Sequence, residues 1–290
     1  MTVSGTDPAA RLEILLGTAI STVIDLGRSH AWRLLRVRTA DGRELFVKAA
    51  AGQHDSDSVL RAEAAGLRWL GQAAPAGLVP AVEATETGLL VLPWLAEAEP
   101  TPAAAERFGR ELAALHTASA AHFGAEWPGW IATVPQDNRL ETGEWADWYV
   151  RRRLAPLLPL AAPRLGSGGS RTIERVLTEI ERLAGPAEPP SRIHGDLWSG
   201  NVLWTESGAR LIDPAAHGGH RETDLAMLEL FGAPHLDRIL AAYHEAAPLA
   251  DGRQERVPLH QLYPLLVHVV LYGGSYVDRT VAAAIAALGQ

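Results

Sequence analysis

Apolar and polar positions along the chain fall into two regimes, and the change comes near Pro93. "DPAARLEILLGTAI" has apolar residues at helical spacing. It predicts a helix with Asp7 as N-cap and Pro8 at the first helical position. From Ser21 to Ala50 the pattern turns to strands. "AWRLLRV" and "RELFVKA" flank Asp41-Gly42, a strong turn pair, and predict a β-hairpin. "SDSVLRAEAAGLRWLGQ" returns to helical period, with Leu60, Ala64, Leu67 and Leu70 on one face. "GLLVLPWL" then reads as a buried strand ended by Pro93.

Beyond Pro93 helical spacing dominates. Thr101 is placed to cap a helix that carries Pro102 at its first position and Phe108, Leu112 and Leu115 as its buried stripe. Further helices are expected at 143–160, 171–184, 222–231, 236–247 and 258–288, with one hairpin in "NVLWTESGARLIDP". Segments 165–170 and 185–191, rich in Gly, Ser and Pro, are expected loops. The pattern predicts an N-terminal lobe at 1–92, a bridge at 93–96 and a helical lobe at 97–290. The fold class is α+β: a small antiparallel-sheet lobe, a mostly helical lobe and a cleft between them.

Composition narrows the function. The 290 residues suffice for one large domain or two lobes, and 47% hydrophobic with 21% charged residues is ordinary globular composition. No apolar run approaches the roughly 20 residues that span a bilayer. The N-terminus lacks a basic segment followed by an apolar one, so a cytoplasmic protein is expected, with no membrane partner. A net charge of -8 argues against nucleic acid as a partner. The absence of cysteine excludes disulfides, thiolate metal sites and cysteine nucleophiles. Arg151-Arg152-Arg153, the one basic run, is expected to be a solvated helix face.

Of the 26 basic residues, 25 are Arg and one is Lys, at position 48. An ammonium is a compact point charge, whereas a guanidinium is a broad planar fork. A chain that uses Arg everywhere else and keeps Lys once points to a tight site, and phosphate suits it. Glu63, on the following helix, could pair with Lys48 and aim it into the cleft. In "HGDLWSGN" four residues separate Asp196 from Asn201, and Asp213 follows the predicted hairpin in "LIDP". Asp-x-x-x-x-Asn is the spacing of kinase catalytic loops. Phosphoryl transfer on the kinase plan needs a Lys on the phosphates, an acid that orients it, an Asp at the attacking hydroxyl, and Asn and Asp on Mg²⁺. His116 reads as a core histidine, and His54 and His122 as surface residues. No His-x-x-x-His pair supports zinc.

"HGDLWSGNVLW" followed by "IDPAAHGGHRETDLAMLELFG" resembles the fructosamine kinase, or ketosamine-3-kinase, family. "FVK", "EAAGLRWL", "WIATVPQDN", "WADWYVRRRL" and "LLVHVVLYGGSY" extend the resemblance over essentially the whole chain. It implies a protein-kinase-like bilobal fold, shared with aminoglycoside and choline phosphotransferases. It also implies ATP and Mg²⁺ as cofactors, and a small or protein-bound glycated amine as substrate, phosphorylated on its 3-hydroxyl in a deglycation repair. Carried over, Asp196 is the base, Lys48 and Glu63 grip the ATP phosphates, and Asn201 and Asp213 bind Mg²⁺. Trp198 and His268 face the substrate, and Asp224 braces the catalytic loop. Departures from the family are a nucleotide loop in which only Gly27 is present, leaving Ser29 and backbone amides to cover the phosphate, and Ala132 where the family usually has Gly. Val267 and Val270 also replace asparagines beside His268. At the bridge Pro93 offers adenine only its carbonyl, so Leu95 becomes the amide donor. Two other readings stay open: an amino-sugar or amino-alcohol kinase on the same fold, and a nucleotide-binding protein without catalysis.

Overall fold

Alternation along the hairpin strands gives the N-terminal sheet two apolar faces, and each is covered by a helix. The computed structural model describes residues 8–29, 32–50 and 56–289. The expected cap Asp7 and the expected surface residue His54 lie outside them. Helix α1 (Pro8–Leu16) precedes β1 (Ile20–Ser29), β2 (Trp32–Thr39) and β3 (Glu44–Ala50). Helix α2 (Ser56–Gly71) and strands β4 (Ala84–Glu86) and β5 (Leu89–Pro93) follow. The five strands form one antiparallel sheet in the order β1-β2-β3-β5-β4. Leu35, Val37, Leu45, Val47 and Val91 pack on one face with Leu12 of α1. Trp32, Leu90 and Leu92 pack on the other with Leu60, Ala64 and Leu67 of α2. Lys48 is in register with Leu34 and Leu90, and so shares the α2 face.

Helix α3 (Pro102–Thr117) begins as expected: the Thr101 hydroxyl accepts from the Ala104 amide at 3.2 Å, and Pro102 opens the helix. Two small hairpins follow from strands only three or four residues long. They are β6 (Gly129–Ile131) with β7 (Val134–Gln136), and β9 (Val202–Thr205) with β10 (Gly208–Leu211). Strand β8 (Ser191–Ile193) pairs with β11 (His217–Gly219). The helices are α4 (Trp145–Tyr149), α5 (Ala155–Thr178), α6 (Ile180–Leu183), α7 (Arg221–Phe231), α8 (Leu236–Ala246), α9 (Arg253–Leu271) and α10 (Ser275–Ala287). Among the described residues no helix is long and apolar enough to cross a membrane.

Four expectations need correction. The segment expected as a loop at 165–170 does hold a break, since Gly166 (φ 67°, ψ 175°) is non-helical and α5 is two helices joined across that kink, but the residues after it are helical rather than loop, with Gly169 and Ile173 buried. The expected helix at 258–288 is two helices, α9 beginning earlier at Arg253 and α10 starting after Gly273 and Gly274, both at positive φ. The basic run is not a uniformly solvated face. A π-helical turn (Val150–Leu154) rotates Arg153 inward, where it is 1% exposed and its guanidinium lies 4.3 Å from the Trp148 ring centroid. Asn138 Oδ1 and Asp137 O accept from Arg153 at 2.8 and 2.7 Å. His122 is half-buried rather than on the surface.

Candidate active site

Strand alternation sends Lys48 towards α2, and there two carboxylates meet it. Its Nζ donates to both oxygens of Glu63 at 2.9 Å and to Asp213 Oδ1 at 2.5 Å. The Lys48–Asp213 contact ties the sheet to the segment after β10 and is an addition to the predicted Lys–Glu pair. Burial disfavours the ammonium, yet the two carboxylates outweigh it and raise the Lys48 pKa. Glu63 is pushed up to about 7, by burial first and then by Asp213, against the pull of Lys48. Asp213 goes the other way: desolvation at the cleft floor raises it, but Lys48 outweighs that and lowers it. Asp213 is in the left-handed region, with φ 55°, which an Asp tolerates better than most residues.

The "HGD" segment is held from behind by one buried carboxylate. Asp224 of α7 accepts from the amides of His194 and Gly195 at 2.6 and 2.9 Å. It also lies 3.1 Å from Nε2 of His116, whose Nδ1 is 2.9 Å from the Tyr243 hydroxyl. His116 is therefore the buried histidine expected from α3. The Asp196 amide donates to His194 Nδ1 at 3.3 Å, which puts the proton on Nε2, where it donates to Ile212 O at 2.9 Å. Asn201 Nδ2 donates to Asp196 O at 2.8 Å and to its Oδ2 at 3.1 Å. Its amide oxygen is thus free of Asp196. Burial pushes the Asp196 carboxyl up to about 7; Asn201 opposes this, and Asp213 and Asp224 add to it.

These side chains line a cavity of about 470 Å³. Leu34, Phe46, Leu92, Leu203 and Ile212 form its apolar part, and Ser29, Pro93 and Leu95 border it. Glu44 O takes the Trp94 amide at 2.9 Å, whereas the Leu95 amide has no hydrogen bond among the described residues. Trp127, Trp130, Asn138 and Trp198 wall the part beside Asp196. A Cβ on Gly200 would lie 2.2 Å from the Trp198 ring, so the Trp-Ser-Gly sequence lets the indole fold over its own loop. Ala132, also on the wall, has φ 51°, a conformation that favours glycine.

His268 is not brought to this wall. Its Nδ1 lies 2.7 Å from Pro264 O, and its ring sits among Phe231, Tyr272 and Tyr276. The edge-on contact of Phe231 with Trp198 links that cluster to the cavity. Trp127, Trp130 and Asn138 were not singled out from sequence, although "WIATVPQDN" contains two of them. Asn201 and Asp213 offer an amide oxygen and a carboxylate, hard donors that fit Mg²⁺. His220 and Glu222 also converge with His260, but the Arg256 guanidinium occupies both Glu222 oxygens at 2.6 and 2.9 Å.

The fructosamine kinase family model matches residues 19–288. A curated Thermus thermophilus protein named as a ketoamine kinase is 36% identical over 249 residues, 86% of each chain. A Synechocystis protein with the same kind of name is 38% identical over 190 residues, spanning 64% of this chain and 63% of that relative. A crystal structure from Thermobifida fusca, named as a fructosamine-3-kinase, superposes with a TM-score of 0.94 at 50% identity, over 99% of this chain and 100% of that one. A macrolide 2'-phosphotransferase from Brachybacterium faecium shares the fold, with a TM-score of 0.63 at 19% identity, over 96% of this chain and 95% of that one.

Proposed function

The chain belongs to the fructosamine kinase family and is a kinase-type phosphotransferase, and we propose that it transfers the γ-phosphoryl group of ATP to the 3-hydroxyl of a ketosamine. The substrates are ribulose, erythrulose or fructose adducts of amines. Their 3-phosphates break down and free the amine, a deglycation repair carried out in the cytoplasm. The observation that carries this proposal is the convergence of Lys48, Glu63, Asp213, Asn201 and Asp196 on one cavity beside Trp198.

Each residue then has a physical task. Residues 1–92 form the nucleotide lobe, 93–96 the hinge, and 97–290 the catalytic and substrate lobe. The Leu95 amide and the Pro93 carbonyl meet the adenine edge, and Ser29 covers the phosphates. Lys48, steered by Glu63, holds the phosphate oxygens. Asn201 and Asp213 hold Mg²⁺, which when bound neutralises charge on the phosphates. Asp196 orients the acceptor hydroxyl and takes its proton late in the transfer. Trp198 lays an aromatic face against the sugar or its amine, and His268 lies behind it.

A kinase assay tests the proposal directly. The protein, ATP and Mg²⁺ are offered ribulose-, erythrulose- and fructose-amines beside free aminoglycosides and choline. Phosphate on the 3-oxygen of a ketosamine, with the other acceptors unmodified, is the expected result. Transfer only to an aminoglycoside or to choline would replace the ketosamine assignment.

A further inference from the structure

From Trp198 an aromatic surface continues away from the catalytic loop. The Trp198 ring, 40% exposed, meets Phe231 at 6.2 Å, and Phe231 meets His268 at 5.2 Å. Tyr276 lies 4.6 Å from His268, and Tyr272, 58% exposed, lies 5.6 Å from it. Three separated segments supply these rings: the loop after Asp196, the end of α7, and the junction of α9 with α10. Arg279 closes the far side, its guanidinium carbon 5.7 Å from the centroids of both Phe231 and Tyr276. One of its N–H groups donates to Leu230 O at 3.0 Å, and it makes no ion pair among the described residues. A guanidinium has five N–H donors in a fork that matches a carboxylate, so most of its capacity is open.

We propose that this surface is the subsite for the amine-bearing arm of the acceptor, and that Arg279 selects arms ending in a free carboxylate, as in a glycated amino acid. The inference rests on the ketosamine kinase reading above and deepens it. The secondary amine of a ketosamine is cationic and suits the face of Trp198. The apolar stem of a lysine-like arm then lies along Phe231 and Tyr276. Its carboxylate reaches Arg279 at the end of that path. Exposure of Arg279 to solvent keeps the expected preference modest.

The test compares two substrates that differ only in charge: Nα-acetyl-Nε-ribulosyl-lysine and its α-carboxamide. The wild-type chain should prefer the acid in kcat/KM by about threefold to fivefold, the upper part of what an ion pair open to solvent supplies. Arg279→Gln should bring the ratio of acid to amide below twofold, and Arg279→Lys should restore part of it. A wild-type ratio near one, or a ratio that Arg279→Gln leaves in place, overturns the subsite and leaves the kinase assignment standing. Phosphorylation of neither substrate by the wild-type chain overturns both.

Discussion

At neutral pH the Asp196 carboxyl of the free cleft is divided between its charged and neutral forms, since burial lifts its pKa to about 7. In an unfolded chain it would titrate near 3.8. The folded state therefore binds this proton more tightly, and ionising Asp196 costs stability as pH rises from about 4 through about 7. Asp196→Asn removes that cost together with the base. Its melting temperature should exceed the wild type's at pH 8, and the gap should close at pH 5. Turnover should fall by roughly 10²–10⁴-fold, the span of general-base contributions. Thermal melts at the two pH values and single-turnover kinetics measure both halves. Turnover within threefold of the parent, or a lower melting temperature at pH 8, would reject the assignment. For the wild type, kcat/KM should lose activity on the acid side of about pH 7. Ala132 carries a backbone cost of a different kind, because a left-handed alanine is strained by roughly 1–2 kcal/mol. Ala132→Gly should match or exceed the parent in stability, and a clear loss in chemical denaturation would show the strain to be absent.

Where an element's own residues set its period, the element was legible from sequence. The hairpin around Asp41-Gly42, the face of α2, the Thr101 cap and the β9–β10 pair all fall where the pattern predicts. The failures share a cause, which is that a distant partner decides the outcome. Strands β6, β7, β8 and β11 have three residues each, too short to show alternation. The Gly-Ser-Gly-Gly stretch is a weak helix former by propensity. Past the break at Gly166 it is helical, and α10 packs against it. A Cβ on Gly169 would lie 3.1 Å from Val281 Cγ2 and 3.2 Å from Leu165 Cβ, whereas nothing lies within 4 Å at Gly168. Gly169→Val should accordingly destabilise the protein by about 1–3 kcal/mol through overpacking, with Gly168→Val well below that. Urea denaturation of the pair gives the comparison. Equal effects would mean that the α5–α10 contact is looser than these distances imply.

Across the whole molecule the residues that gather around Lys48 and Asp196 were readable, and most of the aromatic surface beyond Trp198 was not. Lys48, Glu63, Asp196, Asn201 and Asp213 sit in short motifs whose order carries information, whereas Phe231, Tyr276 and Arg279 meet only after α7 and α10 have packed. Lys48 joins the two lobes, since Glu63 belongs to the sheet side and Asp213 to the helical side. Lys48→Arg keeps the charge but needs more room and a planar geometry, so at least about a tenfold loss in catalytic efficiency is expected. Arg43→Lys, in the turn before β3 and outside the cavity lining, is the control. Lys48→Met has a second consequence, because it leaves two carboxylates facing each other with no cation between them. Each would then bind a proton more tightly in the folded state than in the unfolded one. The destabilisation should be large at pH 8, at least about 2 kcal/mol, as for a buried ion pair that has lost one partner. As pH falls towards 5 the pair takes up a proton and the repulsion fades, so the variant should recover stability relative to the wild type. Melting temperatures of both proteins, taken without nucleotide from pH 8 to pH 5, report the difference directly. A gap that stays constant across that range would mean that Glu63 and Asp213 do not depend on Lys48 to coexist, and that the ammonium is not what joins the lobes.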